Sequence, residues 1–122
     1  MTADPFVILY VEDSAYIRQS FAELLDAVGR RIVDVAGAGA ARAVLLGETV
    51  NLLITDINLP DGSGLEVARE ALRRNPALPV IICSGDDLRG VAESLGPTAH
   101  AMRKPVDIDE FVGLVERLAQ PA

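Results

Sequence analysis

Cysteine, histidine and lysine each occur once in this chain of 122 residues. A single Cys83 has no internal partner for a disulfide, which agrees with a reducing compartment. Hydrophobic residues supply 50% of the chain, yet no apolar run approaches the ~20 residues needed to cross a bilayer, so no membrane partner is expected. The start, Met1-Thr2-Ala3-Asp4-Pro5, has neither a basic segment nor an apolar core; no secretory signal is predicted, and a cytoplasmic location is expected. Positive charge is scarce too. Eleven Lys and Arg against 18 Asp and Glu leave a formal net charge of −7, which argues against direct nucleic-acid binding. Lys104 is the one lysine against an arginine background, and a compact ammonium suits a point contact to phosphate better than a planar guanidinium does. There is no internal repeat or low-complexity tract, and the length suits one domain over residues 1–122 with a core of its own.

What is present is organised around the stretch Asn51 to Gly64, N-L-L-I-T-D-I-N-L-P-D-G-S-G. Leu52, Leu53, Ile54 and Thr55 read as a strand buried on both faces, ending at Asp56. Pro60 and Asp61-Gly62 then impose a loop. Phe6 to Val11 is a second continuous apolar run, and it too stops at acids, Glu12-Asp13. Ser14 is the expected N-cap of a first helix in which Ile17, Phe21, Leu24, Leu25 and Val28 recur at helical spacing up to Gly29. Further strands are predicted over 31–36, 79–83 and 98–103, and helices over 38–46, 65–74, 86–95 and from an Asp107 or Asp109 cap through Leu118.

Five β-α alternations call for a parallel sheet with helices on both faces. By analogy the fold class is α/β, a flavodoxin-like (βα)5 doubly wound sheet of strand order 2-1-3-4-5, whose switch point lies between the strands ending in Glu12-Asp13 and Asp56. One sheet edge would then carry Glu12, Asp13, Asp56, Ser84 and Lys104. Three crowded carboxylates need a cation or take up protons, and Mg²⁺, an oxygen-binding ion that reserves places for phosphate oxygens, is the natural partner. Carboxylates, hydroxyl and ammonium together match phosphoryl transfer to an acid: Asp56 as nucleophile, Lys104 and the metal offsetting charge, Ser84 donating a hydrogen bond.

With those residues in hand, nearly the whole chain resembles the receiver domains of two-component response regulators. The resemblance is carried by Glu12-Asp13, Asp56 with Pro60 and Gly62, Ser84, and Lys104-Pro105. It implies a phosphoacceptor domain in which Asp56 takes a phosphoryl group from the phosphohistidine of a histidine kinase or histidine phosphotransfer protein. Glu12, Asp13 and Asp56 would bind Mg²⁺ with the Asn58 main-chain carbonyl, Lys104-Pro105 would be cis, and Ser84 would move towards the phosphate. A downstream effector protein and a phosphorylation-dependent dimer are the implied further partners; the chain would be a signalling domain, not an enzyme for outside substrates, and these residues hold no DNA-binding output domain. The family usually places Tyr or Phe three residues before the lysine. Here that position is Ala101, so the readout is expected to run through main chain and partner contacts. The segment from Ser84 to Lys104 is short for the family, which predicts an abbreviated or irregular fourth helix.

Other readings are weaker. Gly37-Ala-Gly39-Ala-Ala-Arg42 imitates the start of a dinucleotide fingerprint, but Arg42 replaces its third small residue. Asp56-x-Asn58-x-x-Asp61-Gly62 partly matches a calcium loop, but Val67 occupies the place of the bidentate acid. Cys83 is expected to be inert packing and His100 a partly exposed strand residue. A Mg²⁺-dependent phosphohydrolase is the rival function, disfavoured because so short a chain leaves little sequence for a specificity cap.

Overall fold

Continuous apolar runs make the sheet. In the computed structural model, which describes residues 4–119, β1 (Phe6–Val11), β2 (Arg30–Val35), β3 (Leu52–Asp56), β6 (Val80–Ser84) and β7 (Ala99–Arg103) form one parallel sheet in the order β2-β1-β3-β6-β7. A two-residue-per-strand antiparallel hairpin, β4 (Asn58–Leu59) with β5 (Gly62–Ser63), interrupts the count, so the large sheet has the expected 2-1-3-4-5 order. The helices are α1 (Ala15–Leu25), α2 (Ala38–Gly47), α3 (Gly64–Arg74), α4 (Val91–Leu95) and α5 (Ile108–Leu118).

Side chains alternate across each strand and so fill two cores. Val7, Leu9, Val11, Leu53, Val80 and Ile82 pack with residues of α2 and α3. Ile8, Tyr10, Leu52, Ile54, Ile81 and Cys83 face Leu25 of α1 and Phe111, Leu114 and Val115 of α5. Across this second core the rings of Phe21 and Phe111 meet edge to face, 5.3 Å between centroids.

Two helices are shorter than the periodicity predicts. α1 starts on its Ser14 cap, whose Oγ accepts from the Ile17 N–H, but it stops at Leu25 and leaves Val28 fully exposed. Gly29, at φ 83°, serves instead as the third residue of a turn closed by the Arg30 N–H on the Ala27 carbonyl, which delivers the chain into β2. In the expected 86–95 helix only Val91–Leu95 is helical. The Asp86 N–H donates to Ser84 Oγ and the Arg89 N–H to Asp87 Oδ1, local bonds that compete with a helix, and Gly90 at φ 77° resets the direction. The fourth helix is indeed abbreviated.

Candidate functional site

The parallel register decides what meets at the C-terminal edge. Val11 pairs with Thr55, Asp56 with Cys83 and Ser84 with Arg103, so Glu12, Asp56, Ser84 and Lys104 all emerge on one edge of the sheet. Lys104 Nζ lies 2.6 Å from Glu12 Oε1 and 2.8 Å from Asp56 Oδ1, joining the ends of β1, β3 and β7. Glu12 and Asp56 are buried and Asp13 is exposed, and one carboxylate oxygen from each lies within 4.8 Å of the others. An oxygen-only set at that spacing suits a hard divalent ion, which gathers ligands at ~2.0–2.6 Å around itself.

Burial, and then neighbouring Glu12, push the Asp56 carboxyl up to about 7 despite the ammonium beside it. Burial also opposes the charge on Glu12, but hydrogen bonds from Asp56, Lys104 and the Ser14 N–H outweigh it and hold that carboxyl below its usual range. Burial likewise works against the Lys104 ammonium and is likewise outweighed, here by the two carboxylates, which raise its pKa. An apolar chamber of about 180 Å³, walled by Tyr10, Ile17, Phe21, Val106 and Phe111, opens against Asp56 and Lys104. Burial raises the Tyr10 phenol above its ordinary range and the Cys83 thiol to about 12, so neither ionises readily; Cys83 is packing.

Ser84 is buried at the end of β6, its Oγ accepting from the Asp86 N–H at 3.1 Å and its carbonyl from the Lys104 N–H at 2.8 Å. The Lys104–Pro105 peptide is cis. Asn58 is exposed, and its side-chain amide donates to Asp86 Oδ2 at 3.4 Å. Ala101 lies exposed on β7, the strand at the sheet's edge, and His100 is half-buried beside it.

Several contributions were not read from the sequence. Gly64 has no room for a side chain: a Cβ there would stand 1.7 Å from the Asp56 carbonyl oxygen. The spacing of a glycine eight residues after the acid was the available signal. Arg18 donates to the Glu12 carbonyl at 2.8 Å and pairs with Asp34 at 3.2 Å, fixing the turn that presents the acids; an arginine on a helix carries no such mark. Asp61 caps α2 from 22 and 23 residues away, accepting from the Ala38 N–H at 2.7 Å and the Gly39 N–H at 2.9 Å. Gly37 has no side chain with which to cap that helix, and a Cβ on it would meet Asp61 Oδ1 at 2.6 Å. The glycines of the fingerprint-like stretch thus admit the protein's own carboxylate where a phosphate would otherwise sit.

Comparison with known proteins agrees with this geometry. A family model described as the response regulator receiver domain matches residues 8–116. The transcriptional regulator NtrC of Salmonella typhimurium is 32% identical over 113 residues, 91% of this chain and 24% of that protein. VirG of Agrobacterium tumefaciens is 31% identical over 112 residues, 88% of this chain and 41% of that protein, so the chain spans well under half the length of these relatives. Among solved structures, a CheY-like receiver domain protein from Methanospirillum hungatei superposes with a TM-score of 0.83 at 28% identity, covering 94% of each chain. A response regulator receiver protein from Pseudomonas putida gives 0.80 at 29%, covering 96% of this chain and 99% of that one. With the sheet order, the strand-end acids and the lysine in their places, the chain belongs to the response regulator receiver domain family of two-component systems.

Proposed function

We propose that this receiver is a phosphoacceptor in which Asp56 takes a phosphoryl group from the phosphohistidine of a histidine kinase or histidine phosphotransfer protein, and that the change alters contacts with a downstream effector. The observation that supports it is the setting of Asp56: a buried carboxylate at a strand end, 2.8 Å from Lys104 Nζ and beside Glu12 and Asp13. An Asp56 oxygen attacks phosphorus, the O–P bond forms as the N–P bond breaks, and the imidazole leaves with the bonding pair. Lys104 meets the anionic oxygens, and Ser84 redirects its hydroxyl to one of them. Glu12, Asp13 and Asp56, with the Asn58 main-chain carbonyl, would hold Mg²⁺, which when bound offsets charge on the transferring group.

The reading is of a switch acting on its own carboxylate, since among the described residues no inserted segment covers the site as a substrate cap would. A cytoplasmic setting belongs to the same reading, since receiver domains typically work there; no described helix is long and apolar enough to cross a membrane. Regulation of transcription belongs to NtrC, a protein of which this chain spans 24%.

Acetyl phosphate with Mg²⁺, followed by intact-mass measurement, tests the proposal. The wild type gains one phosphoryl group and folded Asp56→Asn gains none; Asp13→Ala is modified more slowly and binds Mg²⁺ about tenfold or more weakly. A full adduct on Asp56→Asn would sink the assignment, and unchanged Mg²⁺ affinity in Asp13→Ala would sink the metal site.

A further inference from the structure

On a chain of net charge −7, α3 displays Arg69, Arg73 and Arg74 on its exposed side, and among the described residues none of the three enters an ion pair. Arg69 and Arg73 stand one helical turn apart, where like charges repel. The last-turn position of Arg73 and Arg74 suits the helix dipole, but that does not account for Arg69 or for the apolar surface alongside. Between α2 and α3 runs a groove of about 300 Å³ with Leu45, Leu46 and Ala71 on its lining, walled by the Arg42–Glu70 ion pair and by Arg73 and Arg74. Leu46 is 69% exposed there.

We propose that this groove docks an acidic amphipathic helix of another protein, seating a leucine-type side chain on Leu45 and Leu46 while its carboxylates meet Arg73 and Arg74. The charge complementarity comes from Arg73 and Arg74, which form no ion pair among the described residues although Glu70 lies near enough to feel their charge, and the two helices offer a third helix a trough for its apolar stripe. A nucleic acid fits poorly, because the apolar floor of Leu45, Leu46 and Ala71 gives a phosphate backbone nothing to bind. A second copy would bring its own exposed aliphatics flanked by acids, Leu24 or Ile108, but such a contact joins two different faces and cannot make the self-complementary two-fold dimer that is commonest among homo-oligomers.

The groove is also tied to the loop that follows Asp56. Its α3 wall begins at Gly64, pressed on the Asp56 carbonyl, and its α2 wall has its first turn held by Asp61. An occupant therefore contacts both helices that the loop positions. The inference does not depend on the reading of Asp56 as phosphoacceptor.

The test titrates the 122-residue chain into a fluorescein-labelled helical peptide of Glu and Leu, with Lys-for-Glu and Ser-for-Leu versions as controls, and maps amide shifts of the ¹⁵N-labelled protein. The Glu/Leu peptide should shift Leu45, Leu46 and the end of α3. Binding should weaken about tenfold or more for the Arg73→Glu/Arg74→Glu double variant, for Leu46→Ser and for either control peptide. The substituted side chains are exposed, and circular dichroism verifies the fold. No binding, shifts on another face, or equal binding of the Ser peptide or of a single-stranded oligonucleotide would overturn the proposal. So would dilution-dependent shifts of the same amides without peptide, which would make the occupant a second copy.

Discussion

The carboxyl of Asp56 is buried and pushed up to about 7, first by that burial and then by Glu12. The carboxyl of Asp61, in the connection that follows between β3 and α3, is exposed and held below the usual carboxylate range by the N–H groups of Gly39 and Ala38. Residue type is the same and the two stand five positions apart; the surroundings are opposite. Asp61 has donors enough for its charge and stabilises the start of α2. Asp56 is denied enough of them, so its charge is costly until something further binds, which is the condition a phosphoryl or metal site requires.

The backbone that both acids share is the place to break the contrast most severely. Gly64→Ala forces a Cβ against the Asp56 carbonyl, and the loop must shift to admit it. A loss of about 3 kcal/mol or more in urea unfolding is expected, with both acids displaced together. A loss under about 1 kcal/mol would show that the loop yields easily.

The next prediction sharpens the difference by pH. Because the folded-state pKa of Asp56 lies above the unfolded value, its contribution to stability is fully present below pH ~4 and is lost as pH rises through about 7. The depressed pKa of Asp61 acts in the other direction: its contribution is present above pH ~4 and is lost as pH falls below it. In EDTA, thermal melts of wild type and Asp56→Asn should therefore diverge with pH, the wild type losing ground to the variant between pH 5 and pH 8. A difference that stays constant over that range would contradict the raised pKa.

The smallest effect is expected from Asp61→Ala, which removes the cap of α2 and leaves the acid cluster alone. The melting temperature should fall by a few degrees, about what loss of one helix cap gives, while phosphorylation by acetyl phosphate stays intact. If instead phosphorylation stops, Asp61 does more than hold the helix.

Much of this was legible in sequence because the signals are local. The apolar runs at Phe6–Val11 and Leu52–Asp56 are strands with the bounds the sequence reading gave, and the acids at their ends fall on one edge once the sheet is parallel. The roles of Asp61 and Gly37 were not legible, since a cap supplied from 22 and 23 residues away leaves no trace in periodicity. The ends of α1 and α4 were overestimated for a related reason. Apolar spacing continues through Val28 and past Leu88, but the turn at Gly29 and the side-chain bonds of Asp87 and Ser84 divert the backbone.

The bond between Lys104 and Glu12 joins residues 92 apart in the chain. Closing so long a loop carries a larger entropic cost than forming a local contact, and it requires both ends of the chain to be in place. Lys104 comes from the last of the five βα units, so a chain still emerging from the ribosome, or one whose C-terminal unit has detached, presents Asp56 without its ammonium. The closed cluster of ammonium and carboxylates at the sheet edge is thereby a report that the whole domain has been assembled, because nothing short of the last strand can complete it.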